Sequence, residues 1–154
     1  MATAHSTLTG ADLHEPKGVA AANADQIYIA NGSGSGAWTN ADNNIYLTLE
    51  LDDISTGSST FLASPCTGTI GNIQTILPGA ISGSDAVITC ELNGTLVTNS
   101  SITVAQSSSA AGDVDAIVPT GNNTLAVGTK IEIITNGAST GTRRLSITLT
   151  VTPT

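Results

Sequence analysis

The chain has 154 residues and a net charge of −8, from four basic and twelve acidic side chains. So few cations cannot form the row of phosphate contacts that nucleic-acid binding needs, nor draw the chain to an anionic membrane surface. The length suits one sandwich-sized core; charged residues are 10% and aromatics 3% of the chain, and the abundance of small, β-branched and hydroxyl side chains favours thin sheets over helices.

The first segment, MATAHSTLTGADLHEPKG, lacks the basic and apolar regions of a signal peptide, and the chain has no run of roughly eighteen apolar residues to form a membrane-spanning helix. The stretch from Leu8 to Trp38 holds Lys17, His14 and the single tryptophan, with almost no sustained apolar periodicity. It reads as an extended N-terminal arm. Within it, 18–25 (GVAAANAD) is compatible with a helix but too short to stand alone. A short strand is expected at 27–30, and NGSGSG at 31–36 has the composition of a flexible linker. The boundary between arm and body falls near residue 42, giving an arm of 1–42 and a β domain of 43–154.

The body reads as short apolar runs cut by Gly, Asn, Ser and Pro. Strands are expected at 45–51, 59–63, 69–77, 86–92, 101–104, 114–118, 130–134 and 145–151. Alternation is clean in two of them. Ile45, Leu47, Leu49 and Leu51 oppose Tyr46, Thr48 and Glu50, and Leu145, Ile147, Leu149 and Val151 oppose Ser146, Thr148 and Thr150. A period of two with one polar face is the mark of an antiparallel sheet covering a core. Asn93-Gly94 between 86–92 and 95–97 is a strong hairpin signal, because both turn positions need positive φ. Pro78-Gly79, Ser82-Gly83 and the 136–142 loop punctuate the rest. The expected fold is an all-β antiparallel sandwich, jelly-roll or immunoglobulin-like, with an extended N-terminal arm.

Little in the chain supplies chemistry. His14 and Glu15 are not spaced as a helical zinc motif, and Pro16 pushes Glu15 toward extended geometry. The reading of Leu13, His14, Glu15, Pro16 and Lys17 is an extended peptide that plugs into a neighbouring subunit. Asp52-Asp53 and Asp113/Asp115 lack the dense oxygen supply of a calcium loop and read as solvated strand-end carboxylates. Cys66 and Cys90 read as free thiols, too few for a zinc site. GSGSG at 32–36 matches the letters of a nucleophile elbow but sits in the linker. Arg143-Arg144 reads as a solvated edge or a subunit salt bridge. Asn31, Asn93, Asn99 and Asn122 match the glycosylation sequon and read as turn residues. The chain is expected to be non-enzymatic, with no cofactor and no metal.

The segments LTGADLHEPKG and YIANGSGSGAW resemble the N-terminal arm of small virion proteins from tailed bacteriophages. ITVAQSSSAAGDVDAIVPT (102–120) and IEIITNGASTGTRRLSITLTV (131–151) look like the β body of the same group. Proteins of this kind are capsid decoration or cement proteins, head fibres, or tail-associated structural proteins. The resemblance implies a homotrimeric β knob on the virion, whose arms grip the major capsid protein through Leu13, His14, Glu15, Pro16 and Lys17. It implies no catalytic residue, and it places the protein in the virion, assembled in the host cytoplasm. The alternative is a tail or head-fibre module that recognises host-surface glycans through loops 107–113 and 136–142.

Overall fold

The computed structural model describes residues 22–24, 26–33, 36–141 and 143–154. By its internal packing the chain divides after Asp42 into two units. All regular structure among the described residues is β-strand.

In the first unit, β1 (Gln26–Ala30) and β2 (Gly36–Asn40) form an antiparallel hairpin. The strand expected at 27–30 is thus paired, and residues 31–33 and 36 belong to its turn and its partner strand. Asn31 Oδ1 accepts the Ser33 N–H at 2.9 Å, and Gly32 takes φ of 75°, so the Asn-Gly-Ser sequence starts a turn rather than a spacer. Gly36 already belongs to β2, where a Cβ would fall on the Ile29 carbonyl and the Tyr28 ring. Tyr28 lies directly opposite Trp38, their rings edge-to-face with centroids 5.4 Å apart. A cross-strand aromatic pair of this kind fixes a register that the small residues around it would leave loose. The helix-compatible 18–25 stretch lies largely outside the described residues.

The second unit is a sandwich of two sheets. Its strands are β3 (Ile45–Leu51), β4 (Ser58–Ala63), β5 (Gly68–Ile76), β6 (Ala86–Leu92), β7 (Thr95–Leu96), β8 (Ile102–Val104), β9 (Val114–Ile117), β10 (Thr124–Leu125), β11 (Lys130–Thr135) and β12 (Leu145–Pro153). Sequence patterning finds all of these except β10, which is two residues long and set by its partner β5. The first sheet runs β3-β12-β5, with β9 and β10 sharing the outer edge of β5. The second runs β4-β11-β6, with β7 and β8 sharing the outer edge of β6. Counting each shared edge as one position, eight strand positions pair first with eighth, second with seventh, third with sixth and fourth with fifth. This is a ribbon rolled around one core, the jelly-roll. An immunoglobulin sandwich instead pairs consecutive strands side by side at several places in its sheets.

The alternation seen in the sequence builds the core. Leu145, Ile147 and Leu149 of β12 face Leu51, Leu49 and Leu47 of β3 in register. They meet Ile88, Cys90, Ile131 and Ile133 of the second sheet in one buried cluster. Each such aliphatic side chain, fully buried, contributes about 1.5–3 kcal/mol. On β5 the phase slips, because Asn72 pairs with Thr150 while Ile70 pairs with Val151. Gly71 is the extra residue of this bulge, and the slip brings both Ile70 and Ile73 inward.

Both shared edges use one device. Between β8 and β7 the Cys90 carbonyl of β6 accepts the Val97 N–H at 2.9 Å, and its N–H turns to a side chain. The buried Ser100 hydroxyl accepts the Cys90 N–H and donates to the Cys90 carbonyl, each at 3.2 Å. Between β9 and β10 the β5 backbone meets Asn123 instead. Its carbonyl accepts the Ile70 N–H and its Nδ2 donates to the Ile70 carbonyl at 2.8 Å. The two crossings are stitched together by Thr98 N–H to Gly121 O, Thr120 N–H to Thr98 O, and Asn99 Nδ2 to Val118 O.

Candidate functional site

Leu13, His14, Glu15, Pro16 and Lys17 lie outside the described residues. The surfaces that remain are the hairpin, the loop end of the sandwich and the outer faces of its two sheets.

On the hairpin, Tyr28 and Trp38 half-bury one another, while Ile27 and Ile29 on the opposite side are 51% and 50% exposed. No charged residue occurs from Gln26 to Asn40.

At one end of the sandwich four loops converge: 52–57, 77–85, 105–113 and 136–141. The two loops singled out by sequence as glycan candidates are brought together there by the 77–82 segment. Leu77 N–H donates to the Asp113 carbonyl and Thr140 N–H to the Ser82 carbonyl. Ile81 N–H donates to Ser109 Oγ at 3.0 Å. Ile54 is fully buried under this end, its carbonyl accepting the Ser139 hydroxyl and its N–H donating to the Arg143 carbonyl. Gly137, at φ of 68°, packs so closely on Gly57 that a Cβ would fall on the Gly57 backbone. Hydrogen bonds and close packing thus tie the four loops together, as a specific site needs.

The acidic pairs are committed to this local structure. Asp53 takes the N–H and the hydroxyl of Ser55 at 2.8 and 2.6 Å, and these bonds, the hydroxyl's first, hold its carboxyl below the usual range. Asp113 accepts the Ala110 N–H at 2.6 Å. Asp115 differs from the solvated reading. It faces inward on β9 opposite the buried Thr75, and burial, with a smaller contribution from Asp113, raises its pKa. Among the described residues no group of three or more His, Cys, Asp or Glu is placed to hold a metal ion.

The two arginines diverge. Arg143 Nε donates to the Ala80 carbonyl at 2.9 Å, and Arg144 pairs with Glu50 at 3.4 Å. Cys90 is buried, which pushes its thiol up to about 12, and Cys66 is half-buried; both are free thiols. Asn93, Asn99 and Asn122 all sit at positive φ. Their side chains bond the Lys130 N–H, the Val118 carbonyl and the Leu96 carbonyl respectively. Left-handed geometry and a local hydrogen bond explain why asparagine stands there.

The outer faces of the sheets differ in charge. On the second, Glu132 lies between Phe61 and Glu91 in register. Two carboxylates directly opposite one another repel. Lys130 bridges to Glu132 at 2.9 Å and lies over the Phe61 ring at 5.2 Å, and its ammonium holds Glu132 below the usual carboxylate range. On the first sheet the outward positions of β12, β5 and β9 are Ser, Thr, Asn, Gln, Ile, Val and Ala. A shallow depression of about 430 Å³ lies between Thr48, Glu50, Ser146 and Thr148. Sequence reading took this face only as the polar side of an antiparallel sheet; its freedom from charge, in a strongly acidic chain, was present in SITLTVT.

No protein-family model matches the sequence, and no curated protein matches it.

Proposed function

We infer that this chain is a non-enzymatic virion structural protein, a capsid decoration or cement protein. It binds the assembled phage head through Leu13, His14, Glu15, Pro16 and Lys17, with the β unit serving as the knob. One observation carries the reading: the LTGADLHEPKG segment and its family-like continuation precede a small, charge-poor jelly-roll. The jelly-roll occurs in viral capsid domains and in lectins alike, so the fold supports this function by analogy. Arm contacts that exist only on an assembled lattice couple binding to assembly, and several arms on one oligomer multiply it.

Sedimentation of the purified chain with capsids that lack it tests the reading, with and without residues 1–18. Arm-dependent binding at near-lattice stoichiometry supports it. Full binding after the deletion refutes the arm as anchor, and no binding by either form refutes the decoration role.

A second reading, a head-fibre or tail module for host-surface glycans, draws on the hydrogen-bonded loop end where 107–113 and 136–141 meet. It predicts glycan-array binding that survives loss of residues 1–18.

A further inference from the structure

We propose that the end of the sandwich away from the four loops holds a site for a neutral saccharide, in the depression between Asn93 and Asn122. This is the end where β6 stops at Leu92 and β11 starts at Lys130. The depression, about 570 Å³, falls within the roughly 300–1,000 Å³ of small-molecule sites. The buried Leu92 and Leu125 line it, together with the exposed Thr95 and Thr124. No charged side chain does, in a chain of net charge −8. The proposal rests on neither reading above, since decoration uses the arm and the glycan module uses the loops at the other end.

The two asparagine amides select the ligand. Both residues stand at φ of 51°, and a backbone bond uses only one end of each amide. Asn93 Oδ1 accepts the Lys130 N–H at 3.0 Å, which leaves its NH2 group to donate. Asn122 Nδ2 donates to the Leu96 carbonyl at 3.4 Å, which leaves its Oδ1 to accept. These bonds also settle which atom of each amide is which, because an N–H calls for an acceptor and a carbonyl for a donor. The depression therefore offers an oriented donor, an oriented acceptor and two hydroxyls that do either. Groups held in place before binding lose less freedom when the ligand arrives. Neighbouring hydroxyls of a sugar ring match this set, each donating and accepting, and the C–H face of the ring suits Leu92 and Leu125. Other classes find no counterpart among the lining residues: an anion meets no cation, and a flat aromatic ligand meets no ring to stack on.

NMR titration of the isotope-labelled full chain tests the proposal, using methyl glucoside, methyl galactoside, methyl mannoside and N-acetylglucosamine, each up to about 10 mM. The expected result, with at least one of them, is a saturable shift of the Asn93 side-chain amide and of the backbone amides of 122–126. Glucuronate, an anionic sugar, should bind at least about tenfold more weakly than that neutral sugar. Removing both hydroxyls in Thr95→Val with Thr124→Val, which keeps the β-branched shape, should raise Kd about tenfold. Circular dichroism checks the fold, and Asn122→Gly, which tolerates the positive φ, replaces the pair if that variant is not folded. The proposal is overturned if none of the four neutral sugars gives a saturable shift, or if glucuronate binds as tightly as they do. A folded variant that binds like wild type also overturns it. Shifts confined to 107–113 or 136–141 overturn it in favour of the loop reading. Where the titration succeeds, a glycan array separates the sources: array binding lost in the variant assigns the site to a glycan terminus, and silence on the array assigns it to a free sugar. Capsid sedimentation is read separately, so failure here leaves the decoration role standing.

Discussion

The two sheets of the sandwich share one core and close their outer edges alike, yet present opposite surfaces. Inward, β12 and β11 supply the same aliphatic alternation, Ile147 and Leu149 against Ile131 and Ile133. At their edges, β6 and β5 each meet a broken strand, mended by Ser100 in one case and Asn123 in the other. Outward, the second sheet sets Glu132 beside Glu91 and needs Lys130 to offset the repulsion. The first keeps its outward residues almost free of charge. Stability comes from what the sheets have in common, and the difference between them lies in the charge they present outward.

The largest effect expected is a shared one. Leu149→Ala in the first sheet and Ile133→Ala in the second should each lower unfolding free energy by about 2–5 kcal/mol in urea denaturation. A small loss in either would break the claim that both sheets depend equally on one core. The edge devices come next. Ser100→Ala should cost about 1–3 kcal/mol, because it leaves the buried Cys90 N–H without its partner. Asn123→Ala should cost less, since the Ile70 N–H keeps a backbone acceptor. Equal losses would show that the two edges are not mended in the way described.

The smallest effects are in pH dependence and have opposite signs. Lys130 depresses the pKa of Glu132, so its contribution is present above the ordinary 4.5 and lost as pH falls through the lowered value. Lys130→Met should raise the Glu132 pKa in an NMR titration, and its melting point should converge with wild type in acid. Asp115 has its pKa raised, chiefly by burial, so its stabilising protonated form is complete below 3.8 and is lost as pH rises through the raised value. Asp115→Asn should therefore melt higher than wild type at neutral pH and show no gain below 3.8. A gain that persists in acid would place its origin outside ionisation.

Much of the β body was legible because burial in a two-layer sandwich forces a period of two. Strands 45–51 and 86–92 could be read to the residue, and Asn93-Gly94 marked its hairpin because few residues accept two positive φ values in succession. Of the hairpin at 26–40 only the first strand, expected at 27–30, was legible. Gly and Ser around the turn mimic a linker, and only the pairing of Tyr28 with Trp38 gives the segment a register. Asp115 was misjudged for a similar reason, since a strand-end carboxylate looks solvated until a neighbouring strand turns it inward. The candidate anchor, Leu13 to Lys17, rests on residue type and resemblance alone.

By itself, then, the sequence determined an acidic, charge-poor, all-β chain with its inward and outward positions along most strands. Those properties follow from composition and local periodicity. The choice of jelly-roll over immunoglobulin topology was made only by the tertiary structure, because alternation says which side of a strand faces the core but not which strand lies beside it. Long-range hydrogen bonding settles that: β12 inserts between β3 and β5, and β11 between β4 and β6. The same pairing gathers neutral residues from four distant segments onto one face, an arrangement that no single stretch of the chain contains.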